Sequence, residues 1–103
     1  MDFEWDEEKN RQNIEKHGVS FEDACTIFDG FTLDRQDDRF DYGEDRTISI
    51  GLLAGVAILV VVHTDRSGIC RLISARPAKR SERRIYDKAI RQAFDTRRTG
   101  RTV

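Results

Sequence analysis

A chain of 103 residues, of which 38% are hydrophobic, can build one domain around one hydrophobic core. Its net charge is only −1, and no apolar stretch approaches the roughly 20 residues of a membrane span. The acidic start of the chain also differs from a secretory signal, which is basic and then apolar. These features exclude a membrane-spanning or multidomain protein and predict one cytoplasmic domain over residues 1–95.

The small net charge conceals a strong division along the chain. Residues 1–45 carry 15 acidic and 5 basic side chains, a net of −10, whereas residues 46–103 carry 4 acidic and 13 basic side chains, a net of +9. We therefore expect a polyanion to bind the second half of the chain.

Two helices are predicted near the N-terminus. Asp6 and Gly18 are residue types typical of a helix N-cap and a left-handed C-cap, so we expect a helix over about residues 7–17. Ser20, with Asp23 three residues later, resembles a capping box and predicts a second, short helix.

The acidic segment 34–45 invites a metal interpretation because carboxylates are dense there. Their positions, 34, 37, 38 and 41, do not match the ligand spacing of a calcium loop. We expect a solvated connection or strand edge, and neither a metal nor another cofactor. Cys25 and Cys70 are too few for a disulfide framework and are predicted to be small buried residues.

The second half predicts a sheet followed by a helix. Alternating and continuous apolar runs with short turns between them indicate strands at about 46–52, 56–63 and 69–75, which form an antiparallel meander. A helix over about 78–94 has one apolar and one basic face, and residues 96–103 are expected to be a basic, disordered tail. The apolar face comprises Ile85, Tyr86, Ala89, Ile90, Ala93 and Phe94, and the basic face comprises Arg80, Arg84 and Lys88.

The junction between the last strand and this helix carries the residue types needed to cleave RNA. Cleavage without a metal requires a base for the 2′-hydroxyl, an acid for the leaving 5′-oxygen, and cations for the charge on the phosphoryl oxygens. Glu82 or His17 is the candidate base. The predicted phosphate clamp consists of Arg71, Arg76 and Arg83, and Tyr86 is predicted to stack on a base or to position a proton.

Several alternatives remain open from the residues alone. Arginines around Glu82 favour its charged form, which suits an orienting group better than a base. His17 beside a helix end can cap carbonyl groups, and His63 at the end of an apolar strand is interpreted as structural. Strict strand alternation places Arg71 and Arg76 on opposite faces, so a shared site requires the strand to bend.

The chain as a whole resembles the BrnT family. The residues that carry the resemblance are Phe3-Glu4-Trp5-Asp6, Lys9, Asn13, Lys16-His17-Gly18-Val19-Ser20-Phe21-Glu22-Asp23-Ala24, Ile73-Ser74-Ala75-Arg76-Pro77-Ala78, Glu82-Arg83-Arg84 and Tyr86. They stand in order across about residues 3–90. The family pattern has a small hydroxyl residue where this chain has Lys79.

The resemblance implies an α+β, RelE-like fold, in which two N-terminal helices and a C-terminal helix pack on an antiparallel sheet. It implies a ribonuclease toxin of a type II toxin–antitoxin pair. The implied partner is a BrnA-like antitoxin with a ribbon-helix-helix DNA-binding part, and operator DNA is bound only through that complex. The resemblance places functional weight on Lys16, His17, Arg71, Arg76, Glu82, Arg83 and Tyr86.

The leading hypothesis is a metal-independent endoribonuclease that cuts cellular RNA, inhibits growth and is silenced by its antitoxin. RNA binding is assigned to Lys16, Lys79, Arg80, Arg84 and Lys88. The alternative is a non-catalytic nucleic-acid-binding regulatory module, in which the same arginines contact phosphates. A third reading is a protein-interaction domain whose basic helix docks an acidic partner.

Overall fold

The computed structural model describes the backbone of residues 1–102 and the side chains of residues 1–95. It has the predicted α+β architecture. The elements in chain order are β1 (Phe3–Glu4), α1 (Glu7–His17), α2 (Phe21–Ala24), a 3₁₀ helix (Cys25–Asp29), β2 (Thr32–Gln36), β3 (Thr47–Leu53), β4 (Ala57–Arg66), β5 (Ile69–Pro77) and α3 (Arg80–Thr102). Across the described residues, no helix combines the length and apolar character needed to cross a membrane.

The five strands form one sheet in the order β1-β5-β4-β3-β2. Strands β2 to β5 are antiparallel to their neighbours, and the short β1 lies parallel to β5. The predicted meander of three strands is therefore present, and each strand ends one to three residues later than expected. Strand β2 occupies the start of the segment expected as a connection or strand edge. Because β2 lies at the edge of the sheet, it tolerates a polar sequence in which the strand pattern is weak.

Both N-terminal helices begin at the predicted caps, and α1 also ends at its predicted cap, whereas α2 ends at Ala24 and continues as the 3₁₀ helix. The Asp6 side chain accepts a hydrogen bond from the backbone N–H of Lys9 at 3.1 Å, and Gly18 ends α1 with a φ of 71°. Ser20 accepts from the N–H of Asp23 at 3.0 Å.

Helices α1 and α2 and the 3₁₀ helix cover one face of the sheet, which we call the closed face. Its core contains Val19, Phe21, Ala24, Ile27, Leu59, Val61, Cys70, Leu72 and Ala75. Gly51 allows this close packing, because a Cβ atom there would lie 2.8 Å from the Cβ of Ile27. The opposite side of the sheet, which carries α3, is called the open face. Its smaller core contains Ile48, Ile50, Val60, Ala78 and Tyr86.

A β-bulge in β5 decides which of its side chains face which side. Val62 pairs with Ser74, whereas the next residue of β4, His63, pairs with Leu72, so Ile73 is an extra residue on β5. Asn13 of α1 holds the strand nearby: it accepts from the N–H of Ala75 at 3.2 Å and donates to the carbonyl of Ala75 at 2.7 Å. These bonds satisfy backbone groups at a part of the edge that β1 does not reach.

The predicted last helix packs along one whole apolar face and ends near Phe94. The observed helix α3 differs from this prediction in both respects. Among the predicted apolar residues Tyr86 is buried, whereas Ile85 and Phe94 are 54% and 58% exposed. Ile85 lies in the first turns of α3 and lines a small pocket against the sheet, whereas Phe94 lies in the C-terminal half of a helix whose 23 residues extend about 34 Å. The α3 backbone is helical through Thr102; the predicted disordered tail, residues 96–103, falls on side chains outside the described residues.

Candidate active site

The centre of the candidate site is an ion pair at the corner between β5 and α3. Arg76 donates from Nη1 to Oε1 of Glu82 at 2.7 Å and from Nη2 to Oε2 at 2.8 Å. Glu82 Oε1 also accepts from the backbone N–H of Lys79 at 2.8 Å, so the same carboxylate caps the first turn of α3. The strand end, the helix start and the two charged groups are thereby fixed relative to one another.

This pairing determines the protonation state of Glu82. The hydrogen bonds from Arg76, assisted by that from Lys79, lower the pKa of Glu82 from 4.5 to about 2, and the same pairing raises the pKa of Arg76. A carboxylate with so low a pKa is a poor proton acceptor near neutrality. Of the two roles left open by the sequence, base or orienting group, this geometry favours the orienting group.

The bulge places Arg71 and Arg76 on the same face of the sheet. Both neighbours of Arg71 in the chain pack into the closed face, and Arg76 pairs with Val60, whose side chain lies in the core under α3. Because Ile73 is an extra residue, both arginines project from the open face, where strict alternation predicts opposite faces. They lie about 13 Å apart along the strand. Arg71 is paired with Glu4 at 3.2 Å.

The segment between β2 and β3 is an ordered loop and not a wholly solvated connection. The side chain of Asp37 is fully buried and accepts from Nε and Nη2 of Arg39 at 2.8 and 2.9 Å and from the hydroxyl of Tyr42 at 3.1 Å. These bonds hold the pKa of Asp37 well below its usual range. The guanidinium of Arg46 lies 4.0 Å from the centre of the Tyr42 ring.

The same loop brings positive charge from the acidic half of the chain to the site. Arg39 lies close enough to Arg76 for the two charges to repel, which opposes the rise in the pKa of Arg76 caused by Glu82. Charge counted along the sequence therefore does not describe the open face. The alternation of apolar Leu33 and charged Arg35 is typical of a strand, and it is the sequence feature that could have predicted β2.

A small pocket lies between the sheet and the first turns of α3, and we call it the Ile85 pocket. Its volume is about 170 Å³, and it is lined by Leu33, Asp34, Arg35, Ile48, Ile50, Glu82 and Ile85. Four of the lining residues are aliphatic, while Asp34, Arg35 and Glu82 supply charge. Within the part of the chain whose side chains are described, the guanidinium of Arg35 makes no hydrogen bond or ion pair. Sequence reasoning missed Arg35.

Other predicted site residues lie around this centre. Arg83 is exposed and donates to the carbonyl of Ala78 at 3.1 Å. The remaining predicted RNA-binding side chains, Lys16, Lys79, Arg80, Arg84 and Lys88, are all exposed. Lys16 is at the end of α1, away from the other four at the start of α3.

His17 and Tyr86 are not placed as the sequence suggested. His17 ends α1, which packs on the closed face, and it makes no hydrogen bond within the described residues. Tyr86 is 2% exposed, and its hydroxyl donates to the carbonyl of Phe31 at 2.9 Å. Burial of the ring leaves no face for a base, so the expected stacking role of Tyr86 is replaced by packing under α3.

A second polar group lies on the closed face around His63. The Nε2 atom of His63 is 2.7 Å from Oγ of Ser49, and its Nδ1 atom is 3.6 Å from Sγ of Cys70. The His63 ring contacts the Phe28 ring edge to face, with 4.9 Å between the ring centres. Burial lowers the pKa of His63 and raises that of Cys70 to about 11. This environment agrees with a structural histidine. Cys70 is buried as expected, whereas Cys25 is only partly buried; both are free thiols.

Comparison with known proteins decides the family. Residues 5–82 match the family model described as ribonuclease toxin, BrnT, of type II toxin-antitoxin system. The chain belongs to the BrnT family. A crystal structure of the Brucella abortus ribonuclease toxin BrnT at 1.1 Å resolution matches this fold with a TM-score of 0.61 and 29% identity, over 78% of this chain and 99% of that one. No curated protein matches the chain.

Membership of the BrnT family gives the fold and the site a context. The chain is a ribonuclease toxin of the type II toxin–antitoxin class, whose members act on RNA and have an antitoxin partner. The family match includes Arg76 and ends at Glu82, so it contains the ion pair at the corner. Most of α3 lies beyond the match, including Arg83, Arg84 and Lys88.

Proposed function

We propose that this BrnT-family chain is an endoribonuclease that cuts cellular RNA in the cytoplasm without a metal, inhibits growth and is silenced by its antitoxin. The observation that carries the proposal is the bidentate pair of Arg76 and Glu82 at the start of α3. Glu82 holds the Arg76 guanidinium in a fixed orientation beside the start of α3, where it can meet a phosphate with its outer N–H groups.

In the proposed reaction, the 2′-oxygen of the RNA attacks the adjacent phosphorus and the 5′-oxygen leaves. The 2′-hydroxyl loses its proton to a base, the 5′-oxygen gains one from an acid, and the products carry a 2′,3′-cyclic phosphate and a 5′-hydroxyl. A guanidinium has five N–H donors; Glu82 accepts from two of those of Arg76, and the carbonyl of Pro77 accepts from a third at 3.3 Å. The remaining donors stabilise the charge that develops on the phosphoryl oxygens.

The residues around the pair extend the site. Arg83, Lys79 and Arg80 add positive charge at the same helix end, and Arg71 binds a more distant phosphate on the same face. Since the pKa of Glu82 is about 2, we assign the proton acceptor to another group, with His17 as the candidate.

The antitoxin is proposed to cover the open face. A BrnA-like partner with a ribbon-helix-helix part would neutralise the arginines there and carry the complex to operator DNA. In the absence of the antitoxin, the same surface is free for RNA.

One observation favours the second candidate, a non-catalytic nucleic-acid-binding module. The carboxylate of Glu82 at the corner is held ionised by Arg76, and His17 lies on a helix of the closed face. Binding through arginines requires no acid–base pair.

The deciding experiment is a cleavage time course with purified protein and a labelled RNA, in EDTA and in Mg²⁺, with analysis of the product ends. Equal rates in both buffers, with cyclic phosphate and 5′-hydroxyl ends, support the proposal. Activity only with Mg²⁺ would refute the metal-independent mechanism. Binding without cleavage in both buffers would establish the second candidate.

A parallel growth assay tests the proposed role in the cell. Induction of the chain alone should stop growth, and co-expression of the antitoxin should restore it. Growth that continues while the protein accumulates would contradict the proposed toxicity.

A further inference from the structure

We infer that the Ile85 pocket holds one nucleobase of the RNA, next to the phosphate that Arg76 binds. The inference rests on the proposed ribonuclease function and adds to it a subsite that selects the sequence at the cut. The pocket shares Glu82 with the ion pair at the corner, so a base inside it is a direct neighbour of the proposed phosphate site.

The size of the pocket suits a single ring system. Pockets for drug-sized ligands span roughly 300–1,000 Å³, whereas this one has about 170 Å³. Four of its seven lining residues are aliphatic: Leu33, Ile48, Ile50 and Ile85. An apolar slot with a few polar groups at its rim is the usual environment for a flat aromatic ligand, and RNA bases in single strands are free to enter one.

Arg35 supplies the polar recognition. It lines the pocket, is exposed, and has no hydrogen-bond or ion-pair partner in the described part of the chain, so all five of its N–H donors are available. The other arginines of this region, Arg39, Arg71 and Arg76, each have a carboxylate partner. A free guanidinium matches a base edge that carries two acceptors, as guanine does with O6 and N7.

The carboxylate of Glu82, which also lines the pocket, disfavours the binding of a phosphate there. Glu82 keeps its negative charge because its pKa is about 2, so it repels a phosphate that enters the pocket in place of the base. The carboxylates of Glu82 and Asp34 therefore favour an uncharged base over a phosphate inside the pocket.

Binding is tested first with the intact protein and the four nucleoside 3′-monophosphates. Isoleucine methyl signals are followed by NMR, because Ile48, Ile50 and Ile85 line the pocket while Ile14 lies on α1 and serves as an internal control. We expect 3′-GMP to shift the three pocket signals at lower concentration than 3′-CMP does, with Ile14 unchanged. Absence of a shift in the pocket with all four nucleotides would overturn the inference. Equal titrations with all four would overturn the role of Arg35.

Two pairs of matched variants connect the pocket to cleavage. Ile85→Trp fills the pocket from a side chain that is 54% exposed, and Ile14→Trp makes the same change at a residue that is 45% exposed on the other side of the sheet. Arg35→Gln removes the free guanidinium, with Arg91→Gln on the exposed part of α3 as its control. Each pocket variant is expected to lower the cleavage rate about tenfold and to weaken the base preference beside the cut. The control variants should cleave as the wild type does.

The possible failures are distinguishable. If the wild type cleaves RNA and both pocket variants keep its rate and base preference, the pocket inference is wrong while the ribonuclease proposal stands. If the wild type cleaves no RNA, the ribonuclease proposal fails, and the nucleotide titration still reports on the pocket. If nucleotides leave the pocket signals unmoved while Ile85→Trp prevents antitoxin binding, the pocket holds a side chain of the partner instead of a base.

Discussion

The two faces of the sheet are built in different ways. On the closed face, α1, α2 and the 3₁₀ helix cover the strands, and Phe21, Ile27, Leu59 and Leu72 are at most 1% exposed. On the open face, α3 makes its buried contact mainly through Tyr86, and ion-paired arginines lie beside an apolar pocket. The closed face therefore contains most of the fully buried side chains, and the open face carries the arginines to which the proposed RNA site is assigned.

The largest expected effect comes from the closed face. Phe21→Ala removes a ring that is 0% exposed and should lower the free energy of unfolding by about 3–5 kcal/mol. Cleavage per folded molecule should stay at the wild-type rate. Denaturant unfolding measures the first quantity and an active-site-normalised assay the second.

Phe40→Ala is the matched control, since that ring is 70% exposed in the loop between β2 and β3. Its effect on unfolding should stay within about 0.5 kcal/mol. Similar losses from both phenylalanines would contradict the assignment of stability to the closed face.

An intermediate effect is expected at the corner of the open face. Glu82→Gln removes the negative partner of Arg76 and should lower stability by about 2 kcal/mol at pH 7 and cleavage by about tenfold, because Arg76 loses its fixed orientation. If Glu82 were instead the essential base, the loss would be far greater and the rate would no longer depend on pH in the same way.

The stability of that pair should depend on pH in a defined direction. The folded-state pKa of Glu82 is lowered from 4.5 to about 2, so the pair stabilises the fold fully above pH 4.5 and loses this effect as the pH falls towards 2. The gap in unfolding free energy between wild type and Glu82→Gln should therefore narrow between these two values. A gap that stays constant from pH 6 to pH 3 would show that the ion pair does not contribute.

The smallest expected effect is at the start of α3. The carbonyl of Lys79 accepts the first bond of the helix from Arg83 at 2.9 Å, but a lysine side chain cannot accept a bond from the helix. Lys79→Ser should complete the capping box with Glu82 and raise stability by about 1 kcal/mol. It should also weaken RNA binding slightly and reduce its salt dependence, because one cation is lost. Unchanged thermal unfolding would show that Glu82 alone already caps this turn.

The contrast between the closed face and the open face also explains which features the sequence could predict. The caps at Asp6, Gly18 and Ser20 and the alternating strands depend on neighbouring residues, so the architecture and the closed face were accessible. The open face depends on contacts between residues that are far apart in the sequence. Ile73 gives no local sign that it is the extra residue of a bulge, yet it decides that Arg71 and Arg76 share a face.

Candidate-site residues follow the same pattern. The corner of Arg76 and Glu82 was predictable because a strand end and a helix start meet there in sequence. Arg35 and Arg39 were not, because β2 was hidden in an acidic segment and its loop folds over the sheet. Helical spacing assigns Tyr86 to the apolar face of α3, but it does not indicate which turn of that face meets the sheet.

The most direct test of this account compares two ion-paired arginines, one at the corner and one on α1. Single-turnover cleavage of one RNA and thermal unfolding are measured on the same preparations of Arg76→Ala and Arg11→Ala, since each arginine pairs with glutamate. The account predicts a loss of about 10²- to 10³-fold for Arg76→Ala, with the fold retained, and wild-type cleavage for Arg11→Ala. Equal cleavage by both variants would contradict the placement of the active site on the open face.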